Sequence, residues 1–278
     1  MARRNFSEIL RDASIDIRRE YDRLYGIFYL QKNIDQSGFS YSLRDYCSMN
    51  FMNLPFRGTC ISLDDFEDYH KIYYERKPSE LDVDYLISFC EYSYNLVIHL
   101  QPPTPSVFGM SSPHQLYLQQ VLKVIDLLCY IQSSDNGIVI FVPKSSAVIS
   151  AAEIVKPSLS YKIIEYNHHA LQGNIEGKKA ILLLLAEELE PKKKELKKIS
   201  QSLENDLFTL FNNLNLRHNN CDSDSQYYKP IVADMPKNEL EQWYDETYQL
   251  CLLSFLELDN IERTEKIRVL KERLKSGD

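Results

Sequence analysis

Apolar residues recurring at intervals of three and four constrain this 278-residue chain more than any motif does. From Phe6 the series Ile9, Leu10, Ala13, Ile17, Tyr21, Leu24, Tyr25 and Phe28 traces one face of a long helix reaching about Leu30. The same spacing returns in most of the chain, and the fold class it predicts is mainly α, a multi-helix bundle. Glycine is correspondingly scarce: eight residues, each standing alone. That excludes the GxGxxG and GxxxxGK[ST] turns whose backbone amides cradle phosphates. Any site in such a chain has to be assembled from side chains on helices.

A formal charge of −8 and a pI near 5.4 argue against a surface that embraces nucleic acid as a whole, so basic character has to be sought locally. The six cysteines, at 47, 60, 90, 129, 221 and 251, form no CxxC pair and have no histidine at finger spacing, and they read as reduced core thiols. The first residues contain no signal-peptide core, and the longest apolar run, Ala180 to Ala186, is far too short to span a bilayer. A soluble, cytoplasmic protein without a membrane partner is expected.

Helices are predicted from Pro78 to about Leu100, from Ser112-Pro113 to Ile131, and, after Ser146, over 148–155, 159–171, 175–189 and 191–214. Pro236 opens a further run to about Leu256, followed by a separate charged helix over 261–274. The β-branched run Gly137 to Pro143 is the one convincing strand. It implies at most a small hairpin near residues 138–142, with a partner near Cys60–Leu63 or Tyr161–Ile164. The proline cluster at 102, 103 and 105 with Gly109 is the clearest loop. It divides an N-terminal helical region, 1–109, from a C-terminal helical bundle, 110–278.

One segment is chemically dense. Asn212 to Asn220 holds five asparagines, Arg217 and His218 where a helix meets a polar loop. These residues offer a cation for a phosphate, a group that titrates near neutrality, and amides to orient both. The competing reading is a helix C-terminus capped by asparagine and complemented by basic side chains.

From Tyr166-Asn-His168-His169 through Glu176-Gly-Lys-Lys and Glu190-Pro191 to Asn215-Leu-Arg217-His218-Asn219, about the last 120 residues resemble helical domains of bacterial abortive-infection proteins of the HEPN-like group. The resemblance implies a helical bundle, dimerisation and metal-independent RNA cleavage in which an arginine and a histidine bracket the scissile phosphate. Residue by residue it points to Arg217, His218 and Asn219. The group separates its arginine and histidine by several residues, whereas here they are adjacent, so a non-catalytic HEPN-like fold is the alternative.

Two further sets complete the candidates. Glu165 and His169 fall at i,i+4, on one face if the helix continues, and His168 or His169 facing His218 across the bundle would complete an acid–base pair. Lys192, Lys193, Lys194, Lys197 and Lys198 form the only dense basic strip, a candidate phosphate contact, although Glu188 and Glu190 stand four residues before Lys192 and Lys194. No metal site and no cofactor is called for. The function expected is phage defence by an RNA-cleaving or RNA-binding effector, and the alternative is a non-enzymatic protein acting through dimerisation or a protein partner.

Overall fold

The computed structural model describes residues 15–34, 38–101 and 112–276, and it is mainly α with two small antiparallel ladders. Two compact units divide the chain after Pro143. The sequence boundary at 109/110 is thereby displaced: the helix after the proline loop and the hairpin that follows belong to the first unit. The loop itself, at 102–111, lies outside the described residues, as does the start of the predicted first helix.

The first unit runs α1 (Ile17–Tyr25), a π turn (Gly26–Leu30), β1 (Asn33–Ile34), β2 (Ser40–Tyr41), α2 (Leu43–Met49), a 3-10 turn (Phe51–Asn53), α3 (Leu63–His70), α4 (Val83–Leu100), α5 (Pro113–Leu127), β3 (Tyr130–Asp135) and β4 (Ile138–Pro143). Helix starts follow side-chain caps. Ser42 and Ser112 each close a capping box, and Ser62 and Asp82 accept from the third residue of α3 and α4. The core is aromatic and centred on Phe89 of α4, whose ring meets Tyr21 at 5.2 Å and Tyr74 at 5.0 Å, both edge-on. The chain's nineteen tyrosines are therefore in part a packing style. Tyr117 donates to Ser93 Oγ at 2.7 Å, satisfying a hydroxyl buried between α5 and α4.

The hairpin corrects the predicted partner of β4. Helix α5 ends at Leu127, not Ile131, because Cys129 takes the left-handed conformation at φ 59°, and Tyr130 then starts the opposing strand. Asn136 (φ 49°) and Gly137 (φ 85°) form the two-residue turn that Asn-Gly favours. Register runs from Tyr130 opposite Pro143 to Asp135 opposite Ile138. The predicted alternatives lie elsewhere, with residues 161–164 inside a helix of the second unit.

A two-stranded ribbon leaves two open edges. Here α4 covers the outer edge of β4 with three side chains one helical turn apart. Glu91 accepts from Phe141 N at 2.6 Å, Asn95 exchanges two 2.8 Å bonds with Val139 N and O, and His99 Nε2 meets Gly137 O at 2.9 Å.

The second unit runs α6 (Ser146–Ile154), α7 (Pro157–Glu165), a 3-10 turn (His169–Leu171), α8 (Ile175–Leu189), a 3-10 turn (Glu190–Lys192), α9 (Lys193–Ile199), α10 (Gln201–Asn213), α11 (Pro230–Ala233) and α12 (Lys237–Ser276). The predicted 191–214 helix is broken at Ser200, which is extended and accepts from Leu203 N as the cap of α10. The two predicted C-terminal helices are one, α12, of 40 residues. Its N-terminal part buries Tyr244, Tyr248, Cys251 and Phe255 against Leu182, Leu185 and Leu189 of α8, and against Leu207 and Phe211 of α10. Four of the six cysteines, at 47, 60, 90 and 251, are buried and all six are free; burial pushes the Cys47 thiol up to about 12.

Asn95→Ala should lower the unfolding free energy by about 1–3 kcal/mol, because it strands the amide and carbonyl of Val139 on a half-buried edge. Urea denaturation measures this, and a midpoint unchanged from wild type would show that the clamp contributes nothing.

Candidate functional site

The Asn212–Asn220 segment folds into the loop that leaves α10, and two asparagines build it. Asn215, at φ 54°, and Asn220 bond reciprocally: Asn215 N donates to Asn220 Oδ1 at 2.8 Å and Asn220 N to Asn215 Oδ1 at 3.3 Å. Asn220, fully buried, also donates to Tyr227 O at 2.8 Å and accepts from Lys229 N at 2.8 Å. It draws residues 215 to 229 into one closed loop.

Within that loop the predicted catalytic side chains take different partners. Arg217 returns to the helices: its guanidinium donates to Ala186 O at 3.0 Å, pairs with Glu190, and lies 5.2 Å and 5.0 Å from the ring centres of Phe208 and Phe211. Its backbone N–H closes the end of α10 by donating to Phe211 O at 3.0 Å. His218 stacks on Tyr227 with ring centres 3.9 Å apart and planes 13° from parallel. Asn219, exposed, donates to Asp222 at 3.3 Å. Outside a helix, neighbouring side chains diverge, and adjacency in sequence here separates the arginine from the histidine.

The second candidate set also changes shape. Helix α7 ends at Glu165, which pairs with Lys162 at 2.6 Å, so the expected Glu165–His169 face does not form. His168 N donates to Glu165 O at 2.8 Å in the turn that follows. The His168 ring accepts from Ala170 N at 3.3 Å to cap the 3-10 turn, and it lies 4.2 Å from the His169 ring. His168 lines a cleft of about 290 Å³ together with Asn167, Gln172, Lys178, Asp245 and Tyr248; His218 is not among the lining residues.

A nearly buried cation outside the sequence-derived candidates, Lys178, also lines that cleft. Lys178 Nζ, its side chain 7% exposed, pairs with Glu241 at 2.8 Å and Asp245 at 2.7 Å and lies 5.4 Å from the Tyr166 ring centre. Tyr166 donates to Asp245 at 3.0 Å and stacks on Tyr248 at 4.0 Å, nearly parallel. Tyr248 in turn donates to Ile163 O at 2.6 Å, and Asn167 donates to the Tyr248 hydroxyl at 2.9 Å. Burial, and then Asp245, pushes the Tyr166 hydroxyl far above its ordinary range, so it stays a donor. Lys178 holds the Glu241 carboxyl below its ordinary value. The sequence carried one signal: Lys178 stands in register with Leu182, Leu185 and Leu189, on the buried stripe of α8.

The basic strip divides in two. Lys192 pairs with Glu188 at 2.9 Å, and Lys193 reaches Glu204 at 3.6 Å and lies 4.2 Å from the Phe208 ring centre. Glu190 serves Arg217 instead of Lys194. Lys194, Lys197 and Lys198 face solvent on α9. No helix among the described residues is long and apolar enough to cross a membrane. No protein-family model, no curated protein and no solved structure matches this chain.

Replacing Lys178 by Met leaves two carboxylates facing a buried gap. Because Asp245 is half exposed, the expected loss is about 1–3 kcal/mol at neutral pH, less than for a fully buried pair. The Glu241 pKa is lower folded than its unfolded 4.5, so the stabilisation is complete above that value and disappears as pH falls through the folded pKa. The wild-type and Lys178→Met unfolding free energies should therefore converge as pH falls below 4.5, and a gap that stays constant from neutral pH down through that range would contradict this account.

Proposed function

We propose that this protein acts by association, as a HEPN-like helical protein of the abortive-infection type that docks a partner and does not cleave RNA at Arg217–Asn219. One observation carries the reading: the Arg217 guanidinium is committed to the fold. An arginine that stabilises a scissile phosphate must present its N–H groups to the ligand. Here they face Ala186 O and Glu190, beside the rings of Phe208 and Phe211. Freeing them means unpacking the end of α10 from α8. Among the described residues His218 stacks on Tyr227, and no carboxylate or second imidazole bonds it to make it one half of an acid–base pair.

Two surfaces support association. The C-terminal half of α12 exposes Ile261, Ile267, Val269, Leu270 and Leu274, more apolar side chain than an isolated helix needs. Lys194, Lys197 and Lys198 give α9 a small cationic face through which RNA would be held by its phosphates, as a bound partner and not as a substrate.

The test is incubation of the purified chain, and of its His218→Ala variant, with total RNA in the presence of a chelator. Intact RNA with both proteins is expected. Cleavage by wild type that the substitution abolishes would restore catalysis to the 217–219 segment and overturn the proposal.

A further inference from the structure

Beyond Leu258 the long helix α12 leaves the core of its unit, and from Asn260 to Lys275 every described side chain is exposed. From Leu253, ahead of the exposed part and through half-buried Leu256, the helix carries a seam at alternating spacings of three and four: Leu253, Leu256, Asn260, Arg263, Ile267, Leu270 and Leu274. These are the a and d positions of three heptads, the pattern that pairs helices side by side. Leu253, Ile267, Leu270 and Leu274 are 44%, 50%, 53% and 74% exposed.

The same unit offers a matching surface. Between α10 and α12 lies a shallow groove of about 560 Å³ with apolar walls from Leu210, Trp243 and Leu250 and carboxylates from Asp206 and Glu246. It borders the seam just before Leu253. Residues 266–275 have the opposite character, with five cations against Glu272 alone. One chain therefore carries both an acidic, apolar groove and a basic, apolar helix, and the helix points away from its own groove because α12 is continuous.

We propose that a second copy of this chain is the partner of this surface, bound antiparallel along α12 through the 253–274 seam with the twofold axis between residues 261 and 262. Charge selects this arrangement. A parallel pair would set Arg263 against its own copy and Lys266 beside Lys271 of the other chain. In the antiparallel register Leu253 faces Leu270 and Leu256 faces Ile267 of the second copy, while the two polar seam residues, Asn260 and Arg263, meet each other. Asp259, which pairs with Arg263 within its own helix, comes beside Lys266 of the second copy. The last described turn, residues 271–275, reaches Leu250 and brings its cations to Glu246. The contact is isologous, so each copy contributes one groove and one basic helix and the assembly closes as a dimer.

The inference rests on the association reading and fails separately from it, since the RNA assay does not report oligomeric state. Light scattering on the full chain should give a mass that rises with concentration toward twice 32.6 kDa. Leu270→Glu, at a site outside both cores, should weaken the dimer at least about tenfold without loss of helical signal. Lys266→Asp should weaken it as well, and Asp259→Lys in the same chain should restore it. Under oxidation, Leu253→Cys with Leu270→Cys should give a covalent dimer, and neither single substitution should, because like positions lie about 25 Å apart in this register. A single-chain mass at every concentration would overturn the proposal. Covalent dimers from the single substitutions would replace the antiparallel pair with a parallel one and overturn it equally.

Discussion

Helix α8 is pinned near each of its ends by a cation, and the architecture of the second unit follows from where those two charges go. At the N-terminal end Lys178 is drawn between Glu241 and Asp245, which fixes α8 against α12. At the other end Arg217 bonds Ala186 O and Glu190, which fixes the exit of α10 against α8. A charge taken out of water is strongly unfavourable unless ion pairs and hydrogen bonds replace its hydration. Lys178 meets that condition with two carboxylates of α12, and Arg217 with Ala186 O of α8 and Glu190 of the turn that follows it; elements tied in this way cannot slide past one another. The asparagine-built loop is a corollary: Asn215 and Asn220 close the turn that delivers Arg217 to its place.

The first unit solves a different problem with the same economy of glycine. Its hairpin has no third strand, and helix side chains substitute for one. Glu91, Asn95 and His99 are spaced four residues apart, and Phe141 and Val139 of β4, with Gly137 of the turn before it, turn their open backbone groups toward them. A helical rise of about 6.0 Å for four residues and a strand repeat of about 6.6 Å for two residues are close enough to stay in step for three contacts. The aromatic core around Phe89 then packs the same helix from another side.

Most helices were legible in the sequence because periodicity and caps act locally: Ser112-Pro113 opens α5, and Leu189 closes α8 at the expected residue. The Asn136-Gly137 turn is an equally local signal, but the strand before it is hidden inside an apolar run that looks helical to Ile131 and stops at Leu127, where Cys129 takes a positive φ; the sequence therefore points to 60–63 or 161–164 for the partner. The candidate site was less legible for a physical reason. Composition shows that Arg217, His218 and Asn219 are polar neighbours, but their partners, Ala186, Tyr227 and Asp222, are set by tertiary packing and by the loop that Asn220 closes. Lys178 was hidden the other way, as one lysine on a leucine stripe whose carboxylates lie more than sixty residues downstream.

The central claim, that Arg217 is an architectural cation, is tested most directly by a double-mutant cycle on unfolding free energy with Arg217→Met, Glu190→Gln and the pair. The account predicts a loss of about 1–3 kcal/mol for Arg217→Met and a coupling of at least about 0.5 kcal/mol with Glu190→Gln. An Arg217→Met protein as stable as wild type, with no coupling to Glu190, would contradict it.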